Sequence, residues 1–261
     1  MPTDLDWYST PLYYDIIFDS DTKNEATFLE HVHALHSTLK PSANLAVLEP
    51  ACGSARLMLE LAQRGWKTYG FDLSPEMIEF SKQRMSAHPA KLWVDRMESF
   101  KVPAKKTFDL AHTLVSTFKY LLTEAEAEAH LQRVADVLKP GGVYVLGVHL
   151  TDYANTQEEH ERWANERDGV TVVCNIHSWP ADKKTRLEKV RSRLSITQGK
   201  EKKTQETTWY FRTYNARQMK ALLKKEPRFE LVACYDFTHE IENNRLLNDS
   251  YSDVVLVLRR Q

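Results

Sequence analysis

Along the first 150 residues, short apolar runs alternate with longer segments whose apolar positions recur every three or four residues. Phe28, Leu29, Val32, Leu35 and Leu39 carry that helical spacing over residues 24–39, and Pro41 closes the segment. The run Leu45-Ala46-Val47-Leu48 reads as a strand, and a helix over 55–64 stops at Gly65. The same alternation predicts a strand over 67–71, a helix over 75–85, strands over 91–94 and 108–114, a helix over 124–138 and a strand over 143–150. Unbroken apolar runs of this length, separated by helices, mark parallel strands buried on both faces and joined by crossover helices.

After Leu150 the pattern changes. Residues 153–168 are polar and are predicted to be helical, and three strand-like stretches follow over 170–179, 186–197 and 206–214. Polar segments and Gly199 separate them, as in an antiparallel meander. A helix over 216–225 and strands over 229–237 and 253–259 complete the chain. The expected fold class is α/β: a Rossmann-like, doubly wound, mostly parallel seven-stranded sheet with an antiparallel β insertion after strand five. The expected division is a core over 1–150, the insertion over 151–214, and a return to the core sheet over 215–261.

Composition narrows the partners. The balance of 35 basic against 36 acidic residues gives a net charge of −1, so no global field draws the chain to nucleic acid. Residues 182–203 hold nine Lys or Arg against three Asp or Glu. That local excess suits either an anionic substrate, RNA included, or exposed strands kept soluble by charge. Cys52, Cys174 and Cys234 stand far apart, which suggests neither a disulfide framework nor a zinc site and fits a reducing compartment. The opening MPTDLDWYST carries acids without a basic segment, and no run of about 18 apolar residues appears. A cytoplasmic protein that spans no membrane is expected.

The candidate chemistry sits at strand ends. Glu49-Pro50-Ala51-Cys52-Gly53-Ser54-Ala55-Arg56 leaves a buried strand and opens a helix, where open α/β sheets bind ligands. Small residues at 51, 53 and 55 allow close backbone approach, and the helix start offers free amides to a carboxylate or phosphate, although a plain tight turn tolerates the same residues. Asp72 ends the next strand, 23 positions after Glu49, where a carboxylate either accepts from ribose hydroxyls or caps the helix at Ser74-Pro75. Asp95 ends the third strand, placed to accept from an adenine amino group, with Met97 against the ring. Arg56 either pairs with a ligand carboxylate or is a solvated helix residue. His149 ends the fifth strand, as a proton acceptor near neutral pH or as a structural histidine. Tyr13, Tyr14, Lys119 and Tyr120 are candidates for the same mouth, and no metal is expected.

Taken in order, these residues resemble the class I S-adenosyl-L-methionine (SAM)-dependent methyltransferases. Glu49-Pro-Ala-Cys-Gly-Ser-Ala is similar to that family's first motif, Asp72 to its ribose-binding acid, and Asp95-Arg-Met to its adenine position. Phe108-Asp-Leu-Ala-His-Thr-Leu and Leu138-Lys-Pro-Gly-Gly-Val resemble the motifs of strands four and five. Tyr13-Tyr14-Asp15-Ile16-Ile17, Ser116-Thr-Phe-Lys-Tyr-Leu and Phe211-Arg-Thr-Tyr resemble the small-molecule subgroup that dimethylates amino sugars or methylates glycine. The resemblance implies an N-terminal lid segment and methyl transfer from SAM to nitrogen or oxygen of a small molecule, with S-adenosyl-L-homocysteine as product. It implies that Tyr13, Tyr14, Glu49, Ala51, Cys52, Gly53, Ala55, Arg56, Asp72, Leu73, Met77, Asp95, Arg96, Met97 and Leu114 contact the cofactor, and that His149 and Tyr14 serve catalysis. Ala51 and Ala55 stand where the family usually has glycine, which leaves a catalytically inactive SAM-binding protein as one alternative and an RNA methyltransferase gripping phosphate with the basic insertion as another. A nicotinamide dehydrogenase is disfavoured by the missing third glycine and by Asp95. The insertion is expected to cover substrate or to make a homodimer.

Overall fold

The computed structural model describes residues 3–4, 6–103 and 106–261. Residues 1, 2 and 5, which belong to the opening read as free of a secretory signal, lie outside the described residues, as do 104 and 105. The chain opens with a two-residue strand β1 (Thr3–Asp4), the short helix α1 (Pro11–Phe18) and helix α2 (Thr22–His36). Strands β2 (Ala46–Pro50), β3 (Lys67–Asp72), β4 (Ala90–Val94), β5 (Phe108–Thr113) and β6 (Leu138–His149) then alternate with helices α3 (Arg56–Gln63), α4 (Pro75–Arg84) and α5 (Glu124–Val137). Four strands follow, β7 (Glu159–Arg167), β8 (Val170–Ser178), β9 (Leu187–Gln198) and β10 (Glu201–Arg212), before helix α6 (Ala216–Leu223) and strands β11 (Phe229–Tyr235) and β12 (Asp253–Arg260).

Seven of these strands form a central sheet in the order β11-β12-β6-β5-β2-β3-β4. The run from β2 to β6 is parallel, and β12 is antiparallel to both its neighbours. Strands β2 and β5 are buried along their whole length, which is why the sequence shows apolar runs there rather than alternation. One face packs on α2 and α3 through Phe28, Leu29, Val32, Leu57 and Leu61, and the other on α5 and α6 through Leu131, Val134, Met219 and Leu222. Local signals set the helix starts: Ser74 Oγ accepts from the Met77 amide ahead of Pro75, and capping boxes join Thr123 with Glu126 and Asn215 with Gln218. The chain leaves β2 for β3 and β4 on one side and returns to β5 on the other. The strand order therefore switches between β2 and β5, which opens a crevice at their carboxyl ends.

The second sheet has the order β1-β10-β9-β8-β7. It differs from the expected architecture at its first strand. Residues 153–168, read as helical, hold strand β7 over Glu159–Arg167, paired antiparallel with β8. The local cause is the Asp168-Gly169 turn, where both residues take positive φ (52 and 73°), the geometry of a tight β-hairpin. Alternation along β8 and β9 turns Val172, Cys174, Ile176, Val190, Leu194 and Ile196 inward, against Trp7, Ile16 and Ile17 of the N-terminal segment. The three free cysteines are all buried, Cys234 in the central core, Cys174 in this insertion cluster and Cys52 in a small cluster between α3 and α4. Among the described residues no helix is long and apolar enough to cross a membrane.

Candidate functional site

The crevice between β2 and β5 is lined by Tyr14, Glu49, the loop 50–54, Arg56 and Leu57, and, across it, Thr113, Leu114, Val115 and Thr117. Its floor is the loop from β2 to α3. There Ala51, Gly53 and Ala55 all adopt left-handed φ (52, 52 and 57°), so the backbone turns sharply at alternate residues. Only Gly53 does so freely; an L side chain in that region costs on the order of 1 kcal/mol. The two alanines thus hold a conformation that glycine would take without strain. No side chain of the N-cap residue Ala55 caps α3, and of its first amides that of Met58 bonds the Glu49 carboxyl, which leaves those of Arg56 and Leu57 to face an anion.

Asp72 ties this loop to the second strand. Its Oδ2 accepts from the Gly53 amide at 2.8 Å and its Oδ1 from the Ser74 amide at 2.9 Å. Burial raises its pKa, against the pull of the amides of Ser74, Gly53 and Leu73. It therefore anchors the loop and the turn into α4, whose cap is Ser74, and its carboxylate keeps acceptor capacity for a ribose hydroxyl. Asp95 lies on the neighbouring strand end, its amide donating to the Asp72 carbonyl at 3.0 Å. Its carboxylate accepts from the Arg96 amide (2.8 Å) and the Lys101 amide (3.0 Å), which shapes the turn after β4.

Glu49 and His112 face each other beneath the loop, Oε2 to Nε2 at 3.9 Å. Both ring nitrogens of His112 and the Glu49 Oε2 are buried without a hydrogen-bond partner. Burial pushes Glu49 up to about 8, against the field of Arg56, while burial and then Arg56 push His112 down to about 3. Near neutral pH the pair is chiefly an uncharged acid beside an uncharged imidazole. An orphaned carboxyl oxygen at the cleft floor suits an ammonium group. Arg56 is not a solvated helix residue: it is largely buried, bonded to Glu25 of α2 and to Thr22 Oγ1 (3.0 Å), and forms part of the cleft lining.

Tyr14 closes the cleft from above: a Cβ at Gly53 would lie 3.5 Å from the ring carbon Cε1 of Tyr14. Burial raises its hydroxyl well beyond its ordinary pKa, so it stays a neutral phenol. Tyr8 donates to the Tyr120 hydroxyl at 2.6 Å, and the Tyr120 ring meets Phe211 of the insertion edge-on at 4.8 Å. Beyond them Glu188 and Phe211, paired across β9 and β10, and Glu161 of β7 come near the ends of β6 and β12. Lys119, nearly buried, bonds Glu188 at 2.9 Å and lies over the Phe211 ring. His149 contacts Asp253 through Nδ1 at 2.6 Å, against the Phe237 ring, and its amide donates to Ser116 Oγ. The bond from His149 holds the Asp253 pKa low. Burial raises that of Glu161, opposed by nearby His149 and reinforced by Glu159, Asp253 and Glu188. Val115 and Ser116 carry positive φ (54 and 60°) at this turn, a strained conformation for a β-branched residue. Gly147 makes it possible, since a Cβ there would sit 3.2 Å from Leu114 Cα and Val115 N.

The structure therefore gathers Tyr14, Glu49, Ala51, Cys52, Gly53, Arg56 and Leu114 around one cleft, with Asp72 and Asp95 at adjoining strand tips. Leu73 is 58% exposed beside Asp72. Ala55 and Met77 are fully buried, Arg96 is exposed and paired with Glu98, and Met97 packs toward the core. Tyr13 packs on the insertion cluster, outside the cleft wall. The basic residues Lys189, Arg191 and Arg193 alternate with buried Val190, Ser192 and Leu194, so they lie on the face opposite the insertion's buried cluster. Glu158, His160 and His177 bring ligand-type atoms within 4.8 Å of one another, and the cross-strand partners His160 and His177 alternate with inward-facing positions, which puts them on that outward side. Sequence reasoning missed Asp15, His112, Glu161, Glu188 and Asp253. For Glu161 a signal existed, because the Asp168-Gly169 turn makes its segment a strand.

Comparison with known proteins agrees with this geometry. Residues 47–142 match the family described as "Methyltransferase domain". A Bacillus subtilis protein named as a methyltransferase is 29% identical over 103 residues, 40% of this chain and 42% of the relative. The dTDP-3-amino-3,4,6-trideoxy-alpha-D-glucopyranose N,N-dimethyltransferase of Streptomyces venezuelae is 26% identical over 179 residues, covering 67% of this chain and 72% of that enzyme. The chain spans less than half the length of the first curated relatives it matches. Among solved structures, an S-adenosylmethionine-dependent methyltransferase from Clostridium acetobutylicum superposes with a TM-score of 0.75 at 16% identity, covering 95% of this chain and 96% of the other.

Proposed function

We propose that this chain, which carries a methyltransferase domain over residues 47–142 within a class I methyltransferase fold, moves the methyl group of SAM to a nitrogen of a small-molecule acceptor. One observation supports the reading: the left-handed loop and Glu49, with its orphaned oxygen, line one cleft, and the Asp72 carboxylate is bonded to that loop through the Gly53 amide. The fit is specific by group. The Asp72 oxygens suit ribose hydroxyls, Asp95 an adenine amino group, the uncapped start of α3 a carboxylate, and Glu49 an ammonium. SAM supplies an electrophilic methyl on a sulfonium, so positioning and exclusion of water do much of the work.

The chain's own residues provide that positioning. Tyr14 covers the loop and keeps water from it, while Leu114 and Val115 form the opposite wall. On the acceptor side, Glu188 is neutralised by Lys119 and Asp253 is engaged by His149, which leaves Glu161, with the rings of Tyr120, Phe211 and Phe237, to favour an amine over a neutral alcohol. An ammonium must lose a proton before nitrogen can attack. His149 Nδ1–H donating to Asp253 leaves Nε2 as the lone pair that takes it. Lys189, Arg191 and Arg193 of the insertion lie on the face turned away from its buried cluster, which does not favour the RNA reading. Three buried, unpaired thiols accord with a cytoplasmic setting.

Calorimetric titration tests the cofactor: SAM and S-adenosyl-L-homocysteine should bind and NAD should not, and the reverse result overturns the reading. Labelled SAM with panels of small amines and alcohols tests the acceptor. Label transfer confined to alcohols would remove the nitrogen assignment.

A further inference from the structure

A buried ion cluster at the edge of the cleft ties α1 to Ser54 of the loop after β2, to α4 and to the end of β7. Asp15 of α1 is fully buried. Its Oδ1 accepts from Ser54 Oγ at 2.6 Å, and Ser54 follows Gly53 in the cofactor loop. Its Oδ2 meets Arg84, at the end of α4, and Arg167, at the end of β7, the latter at 2.6 Å. Arg84 also reaches Ser54 Oγ at 3.4 Å, and Ser81 of the same helix donates to the Gly53 carbonyl at 2.7 Å. Consecutive residues of α1 therefore grip consecutive residues of the loop: the Tyr14 ring lies on Gly53 and the Asp15 carboxylate holds Ser54.

The insertion grips the same short helix from the other side. Asn165 donates to the Ile16 carbonyl at 2.8 Å, Gln205 to Thr10 Oγ1 at 2.8 Å, and Trp163 meets Phe18 edge-on at 5.8 Å. A helix of eight residues has little stability alone, so what packs on it decides where it sits. Without Arg167 the buried carboxylate keeps only Arg84 as a charged partner, and the loop–helix contact loses its link to the insertion.

We infer that Asp15 is a positioning residue for the cofactor, and that Arg167 of the insertion acts through it: the Ser54–Asp15–Arg167 chain holds Tyr14 on the loop only while the insertion is docked. This rests on the cofactor reading above for its affinity arm alone. Asp15→Asn risks misfolding, so Arg167→Gln, which alters no residue of the cleft wall, is the working variant. In the full chain it should weaken SAM and S-adenosyl-L-homocysteine binding about fivefold or more. It should also speed amide hydrogen exchange across Pro11–Phe18 with little change in the melting temperature, and Arg167→Lys should recover part of both effects. Wild-type affinity together with wild-type exchange in α1 would overturn the inference. Should the wild type bind neither nucleotide, the methyl-donor reading falls, and the exchange rates of α1 in Arg167→Gln still decide the clasp.

Discussion

The two sheets solve different problems with different sequence patterns. In the central sheet, β2 and β5 are buried at every position, and the polar residues they carry, Glu49, Asp109, His112 and Thr113, are buried with them. In the insertion, β8 and β9 bury alternate residues only and leave the others to solvent. The first arrangement makes a rigid frame whose strand tips are fixed by packing on two sides. The second makes a half-covered wall that depends on what leans against it. The groups proposed for the cofactor fall on the first and those proposed for the acceptor on both, so the proposed site is a junction between a frame and a cover.

That division can be broken by mutation. The largest expected effect is on the frame: Asp72→Ala should weaken SAM about a hundredfold, through two lost bonds to a charged acceptor. Circular dichroism would show the variant folded, and unchanged affinity in calorimetry would reject the ribose role. From the cover, Glu161→Gln should raise the acceptor KM about tenfold and leave SAM affinity alone. A matching loss of SAM affinity would mean that the two sheets do not divide the labour. Arg167 is the expected exception, because it reaches the frame through Asp15.

A subtler effect concerns the proton on Glu49. Its pKa of about 8 leaves it mostly protonated near pH 7. An ammonium beside it favours the ionised form, so binding should release a proton, and the release should fade as pH rises beyond about 8. Calorimetry in buffers of different ionisation heat counts that proton, and Glu49→Gln should abolish it. The smallest expected effect is on the strained loop. Ala51→Gly relieves a left-handed side chain at some cost in unfolded-chain entropy, a net gain of about 0.5 kcal/mol and a rise of roughly 1–2 °C in Tm. A lower Tm would mean that the alanine is not strained.

How far the sequence reaches follows the same division. The frame was legible because burial on both faces writes itself as apolar runs, and because Glu49, Asp72 and Asp95 each end one. Residues 153–168 misled because a strand exposed along most of its length has no apolar period to read. The hairpin dipeptide Asp168-Gly169, not the strand itself, held the information. The pairing of His149 with Asp253 depends on β6 and β12 being neighbours, 104 positions apart, which no local pattern encodes. Asp15 looked like one polar residue in an apolar stretch, and only the tertiary approach of Arg84 and Arg167 gives it a role.

The three buried thiols supply a built-in gauge of motion. Cys52 sits beside the cofactor loop, Cys174 inside the insertion and Cys234 in the central core, so each region conceals one sulfur from reagents. A slow alkylating probe followed by mass spectrometry would report separately how often each compartment breathes. Occupancy of the cleft should silence the first sulfur most, while the third keeps time with global unfolding.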